Sequence, residues 1–293
     1  KNSPSMPNLI GKNDFIYAMD TTGKLTSLNA KSGIVEWSIT ISNRENSYTA
    51  SSGGLSIYNH NLYAHLGGLN LVALNSLTGE MLWEKNFNVP IISGPTSNAK
   101  GVFITLIDGT LKLLNEENGE LIWERKVISN IDDVMSTASI SVNKDTVVVP
   151  DFGGGISVLA LEDGSYLWED NLALLAPKNA IEQLSTIKAE PSIFEGKIFV
   201  VAQNGRLASY DLNNSKMVWE QSISGSQVIW IAGSSIFAIS DKAELICLRK
   251  VDGSIRWITK LPSKIDQNLI RYQKFIPHFG PVVASNKVYV AGS

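Results

Sequence analysis

The chain has 293 residues, 44% apolar and 18% charged, and its 25 Lys+Arg against 28 Asp+Glu leave a net charge of −3. That balance supports a packed core and lacks the basic excess of a nucleic-acid binder, so nucleic acid is set aside as a partner class. So low a charged fraction suits sheets covered on both faces better than long solvent-facing helices, and no apolar run is long enough to cross a bilayer as a helix.

Along the chain, six tryptophans recur in one context: Trp37, Trp83, Trp123, Trp168, Trp219 and Trp257, at spacings of 46, 40, 45, 51 and 38 residues. Four residues before each stands Gly33, Gly79, Gly119, Gly164, Ser215 and Gly253 in turn. Twelve before stands Leu25, Leu71, Leu111, Ile156, Leu207 or Leu245, and twenty before stands Tyr17, Tyr63, Phe103, Val148, Phe199 or Phe237. Fixed offsets across six copies define an internal repeat of about 44 residues. Trp230 falls outside the pattern and is expected in ordinary core.

Each repeat reads as strands. In the second, Leu55–Tyr58, Leu62–His65, Leu69–Leu74 and Glu80–Phe87 are four short runs. Pairs such as Asp108-Gly109, Asn204-Gly205 and Asp252-Gly253 punctuate the others as turns. Runs such as Leu71–Leu74 and Ile198–Val201 are apolar at successive positions, which predicts cover on both faces. Four antiparallel strands per repeat, stacked face to face, predict an all-β propeller blade. Six full repeats are present, with the start of a seventh at Pro281 and Val288–Ala291. The expectation is a single propeller domain over residues 1–293 that continues beyond one or both ends.

The aromatic-to-Trp distance is constant, whereas the distance from each Trp to the next such position is 26, 20, 25, 31, 18 and 32. Length therefore varies only in the connection from the fourth strand of one blade to the first strand of the next. A rigid scaffold with variable loops at one side is how binding surfaces are built, so this side is the expected functional face. The longest connections are Ala173–Glu190 and Ile258–Gly280. The second sets Lys260, Lys264, Arg271, Lys274 and His278 among Tyr272, Phe275 and Phe279, a pattern that fits a solvated basic loop or a partner surface.

Chemistry-bearing motifs are sparse. Cys247 is alone in an apolar run and reads as a buried small hydrophobe. His60 and His65 are five apart, on opposite faces of a strand, with no companion set for zinc; His65 reads as a core or edge histidine. Gly153-Gly154-Gly155 lies between strands, where a bend explains it better than a phosphate loop. Glu162-Asp163-Gly164 is a hairpin turn too short for a calcium loop. No catalytic, cofactor-binding or metal-binding residue is assigned, and no cofactor.

The segments LNLVALNSLTGEMLW (69–83), LKLLNEENGELIW (111–123) and GRLASYDLNNSKMVW (205–219) resemble the PQQ-like (quinoprotein) propeller repeat. Pro95, Pro191 and Pro281, each eight residues before an aromatic, fit it as starts of first strands. The resemblance implies that the six repeat tryptophans dock between blades. Ile181–Pro191 (IEQLSTIKAEP), Trp168-Glu-Asp and Ser224–Gly233 (SGSQVIWIAG) are most similar to the BamB family of outer-membrane β-barrel assembly lipoproteins. That likeness implies an eight-bladed ring and a non-enzymatic periplasmic scaffold, tethered to the outer membrane by a lipidated cysteine before Lys1. It would dock on the periplasmic domains of the barrel-insertion subunit and meet unfolded outer-membrane protein strands. Family contacts carry over to Asp132, Asp133, Val134 and Met135 in one connection, and to Glu182, Gln183, Leu184, Thr186 and Lys188 in another. The family's second loop tends to be acidic, and Thr186 and Lys188 depart from that. Two alternatives remain: a PQQ- and calcium-dependent dehydrogenase, whose adjacent cysteine pair one cysteine cannot supply, and a periplasmic ligand-binding propeller.

Overall fold

In the computed structural model, residues 8–41, 53–127, 138–151, 153–172, 185–262 and 276–292 are described. Each repeat becomes an antiparallel meander in which strands pair in sequence order. The chain clusters into two compact units, residues 1–142 with 161–165, and residues 143–160 with 166–293, so the boundary falls within the fourth sheet.

The first unit holds β1 (Asn8–Lys12), β2 (Phe15–Met19), β3 (Lys24–Asn29) and β4 (Val35–Thr40) as one sheet. The next sheet is β5 (Gly54–Tyr58), β6 (Asn61–His65), β7 (Asn70–Asn75) and β8 (Met81–Asn86), and the third is β9 (Thr96–Asn98), β10 (Gly101–Thr105), β11 (Thr110–Leu114) and β12 (Leu121–Lys126). The fourth sheet runs β13 (Ser141–Val142), β14 (Thr146–Pro150), β15 (Gly155–Ala160) and β16 (Tyr166–Asn171). In the second unit follow β17 (Ser192–Phe194), β18 (Lys197–Val201), β19 (Leu207–Asp211) and β20 (Met217–Gln221), then β21 (Trp230–Ala232), β22 (Ser235–Ser240), β23 (Glu244–Arg249) and β24 (Ile255–Lys260). A two-stranded sheet of β25 (His278–Ala284) and β26 (Lys287–Gly292) completes the described residues.

Burial follows from this stacking. The second strands β10 and β14 are buried at every position, whereas the fourth strands β4 and β8 are largely exposed. The cores lie between consecutive sheets. In the first unit, Tyr17, Leu25 and Ile41 meet Leu62, Ala64, Val72 and Leu74 of the next sheet, and Tyr63, Leu71 and Ala73 meet Val102, Ile104 and Leu114. In the second unit, Val148, Ile156 and Val158 meet Ile198, Val200 and Tyr210, and Phe199, Leu207 and Trp219 meet Ile236, Ala238 and Ile246. Cys247 is buried, directly across the ladder from Trp257.

The repeat offsets acquire physical reasons here. Eight residues before Trp37, Trp83 and Trp123, the side-chain oxygens of Asn29, Asn75 and Asn115 accept backbone N–H bonds from the turn that follows, and close it. The glycine four before each Trp then takes a left-handed conformation, φ 75° at Gly79 and 69° at Gly253. From the second sheet on it also touches the tryptophan of the preceding sheet: a Cβ on Gly79 would lie 2.8 Å from the Trp37 ring, and one on Gly253 2.5 Å from the Trp219 ring. Above that turn the indole N–H donates to a backbone carbonyl seven residues before the next Trp. Trp37 reaches Ser76 at 2.9 Å, Trp83 reaches Glu116 at 3.1 Å, and Trp123 reaches Leu161 at 3.2 Å. In the second unit Trp168 reaches Leu212 at 3.1 Å and Trp219 reaches Lys250 at 3.0 Å. One residue before each Trp the fourth strand carries a bulge, seen as a register shift opposite Ser27/Leu28, Ala73/Leu74 and their equivalents.

Ser215 occupies the turn position that is glycine elsewhere and still adopts φ 60°. A side chain held there is strained, so Ser215→Gly should raise stability by roughly 1 kcal/mol. A urea midpoint that rises with unchanged slope bears this out; a fall would show that the Ser215 hydroxyl, which donates to the Asn214 carbonyl at 2.6 Å, outweighs the strain.

Three local expectations need correction. Trp230 is 38% exposed on the short first strand β21, not ordinary core, because its neighbours Ile229 and Ile231 take the core-facing positions and strand alternation turns Trp230 the other way. His60 lies in the turn between β5 and β6, not on a strand opposite His65. Pro281 lies inside β25 and does not open it, and the ladder to β26 slips between Phe279 and Val282 around it, since proline has no N–H to give.

Candidate partner-docking site

In a four-stranded meander the fourth-to-first connection leaves at the same end of the sheet as the turn between the second and third strands. The backbone ties the two together. Four residues after the Trp, an apolar residue donates its N–H to that turn: Ile41 to Gly23, Phe87 to Leu69, Val127 to Gly109, Leu172 to Gly154 and Leu261 to Ala243, all at 2.8–2.9 Å. Ile223 is the departure and bonds to Gln221. Ile41, Phe87, Val127, Leu172 and Ile223 are all buried. This position was missed in the sequence, although the recurring aliphatic or Phe at a fixed offset was there to find.

The described end of the connection before the fifth sheet, residues 185–191, is held by backbone bonds. Thr186 pairs with Gln203 in both directions, N–H to carbonyl at 3.1 Å and 2.8 Å. Side chains alternate from there. Ser185, Ile187 and Ala189 are buried, while Thr186 is half-buried and Lys188 and Glu190 are exposed. Ile187 enters the core between the fourth and fifth sheets, and Ala189 the core between the fifth and sixth. Residues 185–190 are thus held like a strand, with one face anchored twice and the other presenting Thr186, Lys188 and Glu190 outward.

Of the site residues named from sequence, Thr186 and Lys188 are placed together on this outward face. Asp132, Asp133, Val134, Met135, Glu182, Gln183 and Leu184 lie outside the described residues. So do Lys264, Arg271, Tyr272, Lys274 and Phe275 of the basic connection. Its described end, Ile276–Phe279, borders an open cavity of about 300 Å3 lined also by Gln227, Ile239 and Asp241.

Titratable groups at the strand ends and turns are tied into the fold. His65 is fully buried; its Nδ1 accepts the Gly67 N–H at 3.1 Å, which leaves Nε2–H to donate to the Ser93 carbonyl at 2.8 Å. Burial pushes its pKa down to about 4, so the ring is neutral at physiological pH. The Asp163 carboxyl is held below its usual range by N–H and hydroxyl bonds from Ser165, and Asp252 likewise by bonds from Ser254. These are turn-closing carboxylates. Among the described residues no three His, Cys, Asp or Glu side chains converge on a point that could hold a metal ion. The glycine triplet makes an Asp-anchored bend, with Asp151 Oδ1 accepting the N–H groups of Gly153 and Gly155 at 2.9 and 2.7 Å.

Four-stranded antiparallel sheets stacked through tryptophan-bearing outer strands define a β-propeller of PQQ-like repeats. A family model described as outer membrane protein assembly factor BamB matches residues 47–259, and the chain belongs to that family. The outer membrane protein assembly factor BamB of Yersinia pestis is 22% identical over 247 residues, which is 83% of this chain and 63% of that protein. The chain therefore spans less than two thirds of that relative's length. Among solved structures, BamB from Moraxella catarrhalis superposes with a TM-score of 0.79 at 16% identity, over 97% of this chain and 81% of that one. The quinohemoprotein alcohol dehydrogenase of Comamonas testosteroni superposes with a TM-score of 0.62 at 13% identity, over 76% of this chain and 45% of the enzyme. At such identities both structural likenesses speak for the fold alone.

Proposed function

We propose that the chain is a non-enzymatic scaffold in the assembly of outer-membrane β-barrel proteins. It works in the periplasm, tethered to the outer membrane by a lipid anchor, and docks on the periplasmic domains of the barrel-insertion subunit through its fourth-to-first connections. The observation that carries the reading is the outward row Thr186, Lys188 and Glu190 on a connection pinned into two cores, in a chain of the BamB family. A rigid, exposed row of polar side chains suits recognition, since little side-chain or loop order remains to be lost on binding. Unfolded outer-membrane protein strands are the second partner class. They fit the fourth strands, which end their sheets and expose Met81, Leu82, Leu121 and Ile122. The bulge on each of these strands and the glutamate directly after four of the tryptophans, Glu84, Glu124, Glu169 and Glu220, work against long edge pairing. The connections are therefore the principal docking site.

Titrating the chain into purified periplasmic domains of the barrel-insertion subunit tests the proposal. A standard-size interface predicts saturable binding with Kd on the order of 10 µM or tighter; no binding at about 100 µM would sink it. Lys188→Glu should weaken that binding by at least about tenfold, because a reversed charge at an interface faces its former partner, and should leave the unfolding midpoint in place because Lys188 is exposed. In the dehydrogenase alternative, PQQ with Ca2+ would bind saturably and support dye reduction; neither is expected here.

A further inference from the structure

The glycines around the fifth sheet leave a seat for one side chain. Ser185 is buried, and it lies against both turns that flank its connection. A Cβ on Gly154 would lie 2.8 Å from its Oγ and 3.0 Å from its Cβ, and a Cβ on Gly205 would lie 2.6 Å from its Oγ. Gly154 takes φ 78°, and Gly205 is also closed in by the Ala202 Cβ at 2.7 Å and the Leu172 carbonyl at 2.9 Å. Gly154 and Gly205 thus have a common cause beyond their own bends: any side chain at 154 or 205 would push Ser185 out. The residue after the seat is Thr186, whose two-way bridge to Gln203 sets the alternation that points Lys188 and Glu190 outward.

The arrangement is not isolated. Before the sixth sheet, the Ser224 hydroxyl donates to Asp241 Oδ2 and accepts the Asn204 N–H at 2.8 Å. In the first unit, Ser93 accepts from His65 through its carbonyl and from the Thr105 N–H through its hydroxyl, at 2.8 and 3.3 Å. In each case a small serine of a fourth-to-first connection sits between two neighbouring second-to-third turns. Ser185 differs in that its own hydroxyl bond, to the Gln203 carbonyl, is long at 3.4 Å. Fit, not hydrogen bonding, holds it.

We infer that Ser185, seated between Gly154 and Gly205, is a positioning residue for the docking row: its small volume fixes the register in which Thr186, Lys188 and Glu190 meet the partner. This rests on the docking function proposed above and adds a residue that touches no partner. Three variants test it: Ser185→Ala, which keeps the fit; Ser185→Leu, which overfills the seat; and Thr186→Pro, which deletes the N–H given to Gln203 without adding bulk at the seat. Two readouts are needed, hydrogen exchange of the Thr186 and Gln203 amides and affinity for the periplasmic domains of the barrel-insertion subunit. Ser185→Leu should lose at least about tenfold in affinity. Ser185→Leu should lose at least about tenfold in protection of both amides, and Thr186→Pro the same in protection of Gln203. In both, the amides of β6 and β7 and the unfolding midpoint should stay near wild type, which a merely structural role would not allow. Ser185→Ala should stay within about threefold of wild type on both counts. If Ser185→Leu fails to fold, Ser185→Val, a smaller overfilling of the same seat, takes its place with the same expected losses; Thr186 is itself in the docking row, so Thr186→Pro is judged by Gln203 protection alone. Unchanged affinity in Ser185→Leu where protection is lost, full protection in Ser185→Leu, or a Ser185→Ala variant as weak as Ser185→Leu would each overturn the inference. A wild-type chain that binds no partner would refute the docking function, and the exchange data would still judge the seat.

Discussion

Trp219→Ala is expected to destabilise the protein by about 3–5 kcal/mol, whereas Trp257→Ala is expected to lose no more than about 1–2 kcal/mol. The two tryptophans share the same repeat position, the same strand and the same in-sheet neighbour, with Phe199–Trp219 and Phe237–Trp257 ring centroids 6.1 and 6.0 Å apart. They differ in what lies over the outer side of the ring. Trp219 is 8% exposed, packs on Gly253 of the next sheet and donates to Lys250. Trp257 is 40% exposed and its indole N–H has no acceptor among the described residues. Truncating Trp219 opens a cavity between two sheets and orphans a carbonyl; truncating Trp257 removes a ring already half in water. Urea unfolding at pH 7 measures both, and equal losses would show that the indole acts within its own sheet instead of joining two.

The second large effect is a loss of stability in mild acid, carried by His65. Its folded pKa, near 4, lies below the ordinary value of 6.5 because burial disfavours the imidazolium. The unfolded chain therefore binds one more proton than the folded one between those values, and stability falls as pH drops. The histidine costs nothing above about pH 7. Its penalty begins near pH 6.5, grows as pH falls, and reaches on the order of 3 kcal/mol near pH 4. Carboxylates titrate in the lower part of that window, so the comparison is with His65→Gln, which has no proton to gain. Unfolding midpoints of the two proteins should diverge steadily from pH 6.5 downward. Parallel curves would mean that the folded ring takes up its proton near the ordinary pKa, so that burial does not disfavour the imidazolium.

Much of the fold could be read from the sequence because the repeat is fixed by sterics. Glycine four before Trp is required by a left-handed turn and by an indole lying 2.5–2.9 Å from where its Cβ would be, so it survives at Gly79, Gly119, Gly164 and Gly253. Where the pattern lapses, the reason is in three dimensions. Val148 stands where other repeats carry an aromatic, and the space beside Trp168 is filled instead by Tyr210 of the next sheet, at 5.8 Å between centroids. The equivalent positions, Leu28, Leu74, Leu114, Leu159 and Leu248, are all leucine, so a lone Tyr there was the visible trace of a swap that only packing explains. The proposed docking row was harder to read. Thr186 and Lys188 came from resemblance, but Ser185, Ile187 and Ala189, which hold them, follow no repeat offset, because that connection is an insertion whose residues answer to two cores at once. Trp230 was misjudged for a related reason: apolar character alone does not say which face of its strand a ring takes, and Ile229 and Ile231 hold the core face there.

The most direct test of the proposed scaffold is site-specific photocrosslinking in cells that make the full-length protein, with a photoreactive residue at position 188 in one variant and at position 77 in the other. Lys188 lies on a fourth-to-first connection and Leu77 in a third-to-fourth turn beside Gly79, at the other end of its sheet. Position 188 should crosslink to the barrel-insertion subunit and position 77 should not. Capture of that subunit from position 77 with none from position 188 would contradict the docking face proposed here.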